Sequence, residues 1–595
     1  MAIEKEREEN ISQNQQIEEH RQAILDAKAK GNMAVLKQYM KFSGPGWLQS
    51  AITLGGGSLS SSLYLGVLGG FMFLWLQPVA MIAGIIMLSA IAYVTLSTGR
   101  RPLRAINEHV NPILGWGWLA ASMMANLVWS LPQFALATAA LRQNLLPGVF
   151  GEEGVVPGPY NEIAVACLIL IVIVTAAMLY TVGGRGMFIF EVVVKCMIGV
   201  TVLSFLGVVI RLTLVGELNW GEIGSGFIPH LELLSRPTDS LMPYINDVGE
   251  QFRSYWSDMI VAQQRDVMIS AAATAVGINM TFLFPYSMLR KGWDSDFRGL
   301  AIFDLSTGLF FPFLLATSCV VIASASQFHA EPARGLFPGK AQVWSENGEV
   351  VDEQTGEAVA PAANLVTGYK GLVKSRLAEE IGMERVEAMS PEELEAQTAA
   401  LPEADRKMAA MLAKRDAFNL SDALTPLVGR GLAQYIFGLG VLGMAMGAAT
   451  MLMLINGLCF SELLNRPPRG WVQRVGSLMV CVGILGPFFW SDAKMWLAIP
   501  TSVFAMTLLP VAYFGFFFLM NQRKLLGEHM PRGLRRLWWN TLMAIAAGLA
   551  AFASLWSLWS KIRWYGVAVV IIFLALIAIT HFLRKPTPLP AAPEE

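Results

Sequence analysis

Charge is scarce in this chain. Only 15% of its 595 residues are Asp, Glu, Lys or Arg, where a soluble globular chain carries about 25%. Histidine is rarer still, with six residues, and the formal net charge is −1. No global basic field therefore invites nucleic acid. The five cysteines (Cys167, Cys196, Cys319, Cys459, Cys481) are scattered through apolar runs without zinc or redox spacing. They read as small buried hydrophobes. No nucleophile–base pair, metal triad or phosphate-cradling loop beside a strand stands out, so neither an enzyme nor a resident cofactor is expected. What is plentiful is apolar surface: 54% of the residues are hydrophobic, gathered in long blocks. The composition is that of an integral membrane protein in contact with the lipid bilayer.

A crossing helix needs about 20 mainly apolar residues. Twelve segments meet that need: 45–68, 71–97, 113–141, 161–182, 187–214, 267–289, 299–325, 431–461, 471–490, 495–520, 537–559 and 564–583. The expected fold class is an all-α polytopic membrane protein of about twelve transmembrane helices. Residues 1–43 are polar and read as a cytoplasmic amphipathic segment rather than a signal peptide. Lys and Arg gather in alternate short loops, including Arg100, Arg101, Arg104, Arg185, Arg290, Lys291, Arg466, Arg469, Arg523 and Lys524. The other short loops hold little beyond Arg142, Lys494, Lys561 and Arg563. The positive-inside rule then places both termini, including the 584–595 tail, in the cytoplasm, of the inner membrane if the source is bacterial. It leaves two long segments outside, a loop at 215–266 and an insert at 326–430 between helices 1–7 (44–325) and 8–12 (431–583). Within the insert, 370–383 and 391–416 read as helices and 334–364 as irregular. The insert offers a surface for a partner or is a lid without chemistry.

The first span is irregular at its middle. Gly55, Gly56 and Gly57 precede Ser58, and three glycines in a row cost a helix about 1 kcal/mol each. Unwound backbone inside a bilayer is tolerated only where it lines a cavity or is buried in protein. In the sixth span Thr274, Gly277, Asn279 and Thr281 interrupt the apolar run and Pro285 follows. Two breaks five spans apart fit two inverted five-helix repeats, each opened by a discontinuous helix, with a solute held at mid-depth between them.

Several motifs resemble the natural-resistance-associated macrophage protein (Nramp) family. They are Gly44-Pro45-Gly46-Trp47-Leu48 before the first span, Gly224 to Pro229, and Leu509-Pro510 through Asn521-Gln522-Arg523-Lys524-Leu525-Leu526-Gly527. The similarity runs from about residue 43 to about 530, excepting the two long segments. The resemblance implies a leucine-transporter-like inverted-repeat fold and proton-coupled transport of divalent metal. It also implies positions for the site, and there this chain departs from the pattern. The family's Asp-Pro-Gly-Asn falls on Gly55, Gly56, Gly57 and Ser58. Its sixth-span Ala-x-x-Met-Pro-His falls either with Asn279 at the Met position or with Gly277 and Met280 at the Ala and Met positions, and neither register supplies a His. A third-span acidic pair falls on Ser130 and Gln133, and an eighth-span polar position on Met446.

Every expected carboxylate and His is thus neutral here. Ser58, Asn279 and Met280 remain as weak candidate metal ligands, with backbone carbonyls beside them, since a divalent ion needs strong donors to offset its lost hydration. Among intramembrane ionisable residues, Glu191 and Lys195 are four apart and are expected to pair. Asp304 shows no partner in the sequence and is the candidate for proton or cation coupling. Asn126 and Gln133 share a face of span 3, suited to helix–helix hydrogen bonding or to lining a pathway. The expected function is Nramp-like secondary transport of a metal ion. The alternatives are a carrier of a small organic or anionic solute, and a receptor or scaffold that works through the insert.

Overall fold

The structure is a computed structural model that describes residues 2–151, 154–156, 159–182, 184–468, 470–489 and 498–583. Arg469, Lys494 and the 584–595 tail lie outside the described residues. Ten helical runs are long and apolar enough to cross a bilayer, and a bent pair, Pro45–Thr53 with Gly56–Phe73, adds an eleventh. The last run, Gly533–Leu583, has 51 residues. At 1.5 Å per residue that is about 77 Å, more than twice a hydrocarbon core. Arg563 breaks it with φ 48° and ψ −127°. Before the break, the Trp539 ring lies 6.0 Å from that of Tyr93. After it, the Ile577 carbonyl accepts from Asn111 Nδ2 at 2.9 Å. Tyr93 and Asn111 flank one short connection, so the chain doubles back at Arg563 and the run is two spans. Twelve crossings result among the described residues.

Both expected breaks are present. Span 1 runs Pro45–Thr53, unwinds at Leu54 (φ −79°, ψ 75°) and Gly55 (φ −130°, ψ −177°), and resumes as Gly56–Gly69. Its two parts meet at 56°. Span 6 runs Glu250–Ala275, unwinds at Val276 (φ −140°, ψ 102°) and Gly277 (φ −78°, ψ 161°), and resumes as Ile278–Arg290. Pro285 sits inside that second half, eight residues past the break, and is not its cause. The second half of span 1 packs between the first half of span 6 and span 7, while span 8 packs along spans 3 and 5.

The long segments differ from their sequence reading. The loop expected over 215–266 ends at Gly249, because Glu250–Ala275 is one continuous helix. Its first turns carry Glu250, Arg253 and Asp258, and this polarity hid them from a hydropathy scan. The insert opens with a two-stranded hairpin, Gln342–Trp344 against Val350–Asp352, where irregular chain is expected. Its helices are Ala363–Ile381, Met383–Ala388, Pro391–Ala399, Glu403–Leu412 and Ala417–Val428. The expected 391–416 helix is therefore two, separated at Ala400–Pro402. Ser390 starts the first of them through a capping box with Glu393, whose N–H donates to Ser390 Oγ at 3.2 Å.

At the opposite end of the bundle, the helix Ala2–Lys30 docks on the connection between spans 6 and 7. Ile24 is buried, and Arg21 pairs with Asp294 and, at 3.4 Å, with Asp296.

Candidate functional site

The two breaks face each other across a cavity of about 30 Å³. Span 1 contributes Thr53, Gly55, Gly57 and Ser58, span 6 contributes Thr274, Gly277, Asn279 and Met280, span 3 Trp129 and Gln133, and span 8 Ala448 and Leu452. Close approach of the backbones keeps the space this small. A Cβ on Gly277 would lie 2.5 Å from the Trp129 ring, and one on Gly55 2.8 Å from the Ala448 methyl.

The free ends of the half-helices are largely used inside the protein. Gly56 N–H donates to Gln133 Oε1 at 2.8 Å, which fixes the start of the second half of span 1 to span 3. Ser58 Oγ donates back to the Thr53 carbonyl across the break. Thr53 Oγ1 lies 3.3 Å from the Ala275 carbonyl and 3.1 Å from Met280 Sδ, which joins the two breaks to each other. Gly277 N–H approaches the same sulfur at 3.3 Å. Asn279 Nδ2 donates to Asn126 Oδ1 on span 3 at 3.1 Å. That bond orients the Asn279 amide, and its Oδ1 is left buried without a donor. Trp129 Nε1 is likewise buried without an acceptor. An unmade hydrogen bond of this kind costs about 1–3 kcal/mol, so these are the atoms a bound group or water would satisfy.

Of the residues proposed from sequence, Gly55, Gly57, Ser58, Gly277, Asn279, Met280 and Gln133 meet at the cavity. Both sixth-span registers are represented, since Asn279 and Met280 each line it. Four proposed residues stand elsewhere: Gly56, Ser130, Met446 and Asp304. Gly56 faces span 3, where a Cβ would lie 3.2 Å from Leu136. Ser130 Oγ donates to the Leu127 carbonyl at 2.7 Å and sits against Gly483 of span 9. Met446 is not among the lining residues, and the span 8 positions that are, Ala448 and Leu452, lie further along that helix.

Asp304 has partners after all. It accepts from the Ser43 hydroxyl and from the N–H groups of Gly44 (3.1 Å) and Gly46 (2.6 Å), and so caps the first half of span 1. The expected Glu191–Lys195 pair is replaced: Glu191 binds Lys291 at 2.9 Å, and Lys195 donates to the Ser43 carbonyl at 3.3 Å. Thr53 and Trp129 went unrecognised in the sequence. The signal for Trp129 was available, because Asn126, Trp129 and Gln133 recur at helical spacing on one face.

Charge is absent from this site. Among the described residues no Asp, Glu, His, Lys or Arg lines the cavity, and no three His, Cys, Asp or Glu side chains gather as a metal centre. The donors are a carboxamide oxygen, hydroxyls and a thioether.

Two broken spans around a small polar cavity at mid-depth define a secondary-transporter architecture. The chain belongs to the natural resistance-associated macrophage protein-like (Nramp) family, whose profile matches residues 46–343 and 402–560. The unmatched stretch between them falls inside the insert. Over 356 residues the chain is 23% identical to the divalent metal cation transporter MntH of Brucella suis biovar 1 (strain 1330), an alignment that covers 58% of this chain and 67% of that protein. The fold matches crystal structures of a manganese transporter from Eremococcus coleocola. One, in complex with an aromatic bis-isothiourea substituted compound, gives a TM-score of 0.59 at 14% identity, covering 93% of this chain and 96% of that one. A mutant form of the same transporter gives 0.60 at 14% identity, covering 92% and 95%.

Proposed function

We propose that this chain is a secondary transporter of divalent metal ions, with the cargo held between the breaks by neutral donors. The observation that carries the reading is the buried, donor-free Asn279 Oδ1 of a residue that lines, with Met280, a cavity of about 30 Å³. That volume suits one ion or water, whereas sites for organic ligands run to about 300–1,000 Å³. The organic-solute alternative is disfavoured on size. Asn279 Oδ1, Met280 Sδ and the Thr53 and Ser58 hydroxyls supply the donors.

Affinity in such a site is low. Neutral donors offset only part of the cost of stripping water from a divalent ion. A carboxylate would offset more of that cost through direct attraction to the ion, and so raise the affinity. Among the described residues the cavity wall also offers no titratable group, so movement of the ion does not exchange a proton with them. In the orientation set by the Lys and Arg bias, both termini are cytoplasmic and the insert lies outside.

The test is uptake of Mn²⁺ into liposomes. Wild type should carry the ion with a high KM, and Asn279→Ala should reduce uptake about tenfold or more. Equal uptake by both proteins would remove Asn279 from the site. Gly55→Asp made together with Ala448→Gly, which clears the 2.8 Å contact, should tighten metal binding.

A further inference from the structure

The insert grips one half of each broken span, the second half of span 1 and the first half of span 6. On the second half of span 1, the Tyr64 hydroxyl donates to the Arg415 carbonyl at 2.8 Å. Arg415 is itself buried at 2% exposure, donates to the carbonyls of Met411 (2.8 Å) and Glu331, and lies 5.1 Å over the Phe328 ring at the end of span 7. One turn further along span 1, the Val67 carbonyl accepts from His329 Nδ1 at 3.0 Å. On the first half of span 6, Trp256 Nε1 donates to Asp405 Oδ1 at 2.7 Å, and Arg376, paired with Asp405 at 2.8 Å, stacks over Phe252. The two half-helices also bind each other, with Ser61 and Ser270 hydroxyls 2.6 Å apart.

These contacts close a triangle of insert, span 1 second half and span 6 first half. Two of its sides carry cavity residues, Gly57 and Ser58 on one and Thr274 on the other. The first half of span 1 is fastened elsewhere, capped by Asp304 on span 7. We propose that Arg415 and Asp405 are positioning residues through which the insert holds these two half-helices as a single gate over the cavity, so that opening toward the insert side requires the gate and insert to move together. The proposal builds on the transport reading but concerns access, which is measurable without cargo.

The experiment uses the full chain with its five cysteines replaced and Thr274→Cys as the reporter, treated in intact cells with a membrane-impermeant thiol reagent from the insert side. Tyr64→Phe and Trp256→Phe each remove one donor and keep the ring, so both should fold, and either alone suffices. Loss of one hydrogen bond of about 1 kcal/mol shifts the gate equilibrium about fivefold. Labelling should accelerate by about that factor in each variant, and from the insert side only. A purely structural role would lower the amount of folded protein and leave the labelling rate of the folded fraction unchanged. That unchanged rate would overturn the proposal. Absence of Mn²⁺ flux in the parent protein would instead overturn the transport reading and leave the labelling result standing.

Discussion

Asp304 is read from the sequence as a candidate for proton or cation coupling, and its contacts give it a second role, helix capping. Its carboxylate accepts from the half-buried Ser43 hydroxyl and from the Gly44 and Gly46 N–H groups, and those two backbone donors and the carboxylate itself are buried. Replacing it with Ala strands two backbone donors at the start of a half-helix. At about 1–3 kcal/mol for each unmet donor, the loss is about 2–6 kcal/mol. Asn keeps one acceptor oxygen in place and should lose about a third of that. The helix has no easy way to adjust, since a Cβ on Gly46 would lie 2.2 Å from the Asp304 carbonyl. The nine residues from Pro45 to Thr53 carry any displacement to the cavity, about 13 Å away along the axis. Thermal unfolding in detergent, run beside Mn²⁺ flux, tests this. The expected order of stability is wild type, then Asp304→Asn, then Asp304→Ala, with flux following the same order. An Asp304→Ala protein that melts with wild type and has lost only a proton-dependent part of its flux would refute capping and restore the coupling role.

Three further outcomes are expected. Asp405→Ala leaves the fully buried Arg376 with the partly exposed Glu380, 3.0 Å away, as its carboxylate partner; breaking such a buried pair costs about 3–5 kcal/mol, which limited proteolysis of the insert should register and Arg376→Met with Asp405→Asn, which keeps an acceptor for Trp256, should largely restore. Burial pushes the His329 imidazole below its ordinary value of 6.5, with the Arg415 cation adding to the effect; the unfolded chain then binds more protons as pH falls through 6.5, so stability falls with it, a slope that His329→Gln should flatten. Gly277→Ala places its methyl 2.5 Å from Trp129 and 2.8 Å from Asn279 Oδ1; flux should fall about tenfold or more while expression in the membrane persists, and unchanged flux would show that this wall yields.

Most of the fold was legible because the bilayer imposes a simple rule. Long apolar runs named the twelve spans, and glycines at 55–57 and 277 named both breaks, since nothing else at mid-depth would tolerate them. Hydropathy failed where a helix leaves the bilayer: Glu250–Ala275 begins polar because its first turns pack against the insert through Phe252 and Trp256. The site was half legible. Gln133, Asn279 and Met280 announce themselves as polar or soft groups on apolar helices. The direction a side chain takes on a helix is harder to read, which is why Ser130, Met446 and Gly56 fell outside the cavity. The partners of Asp304 were beyond reach, because the 258 residues that separate it from Gly46 leave no pattern in the sequence.

The account turns on a charge-free site that carries a divalent ion without a proton. The most direct measurement is simultaneous recording of Mn²⁺ entry and internal pH in liposomes containing the wild-type protein, with an inward metal gradient. The account predicts saturable, low-affinity Mn²⁺ entry with no internal acidification beyond that of protein-free vesicles. Tight, robust Mn²⁺ uptake accompanied by proton entry would contradict it.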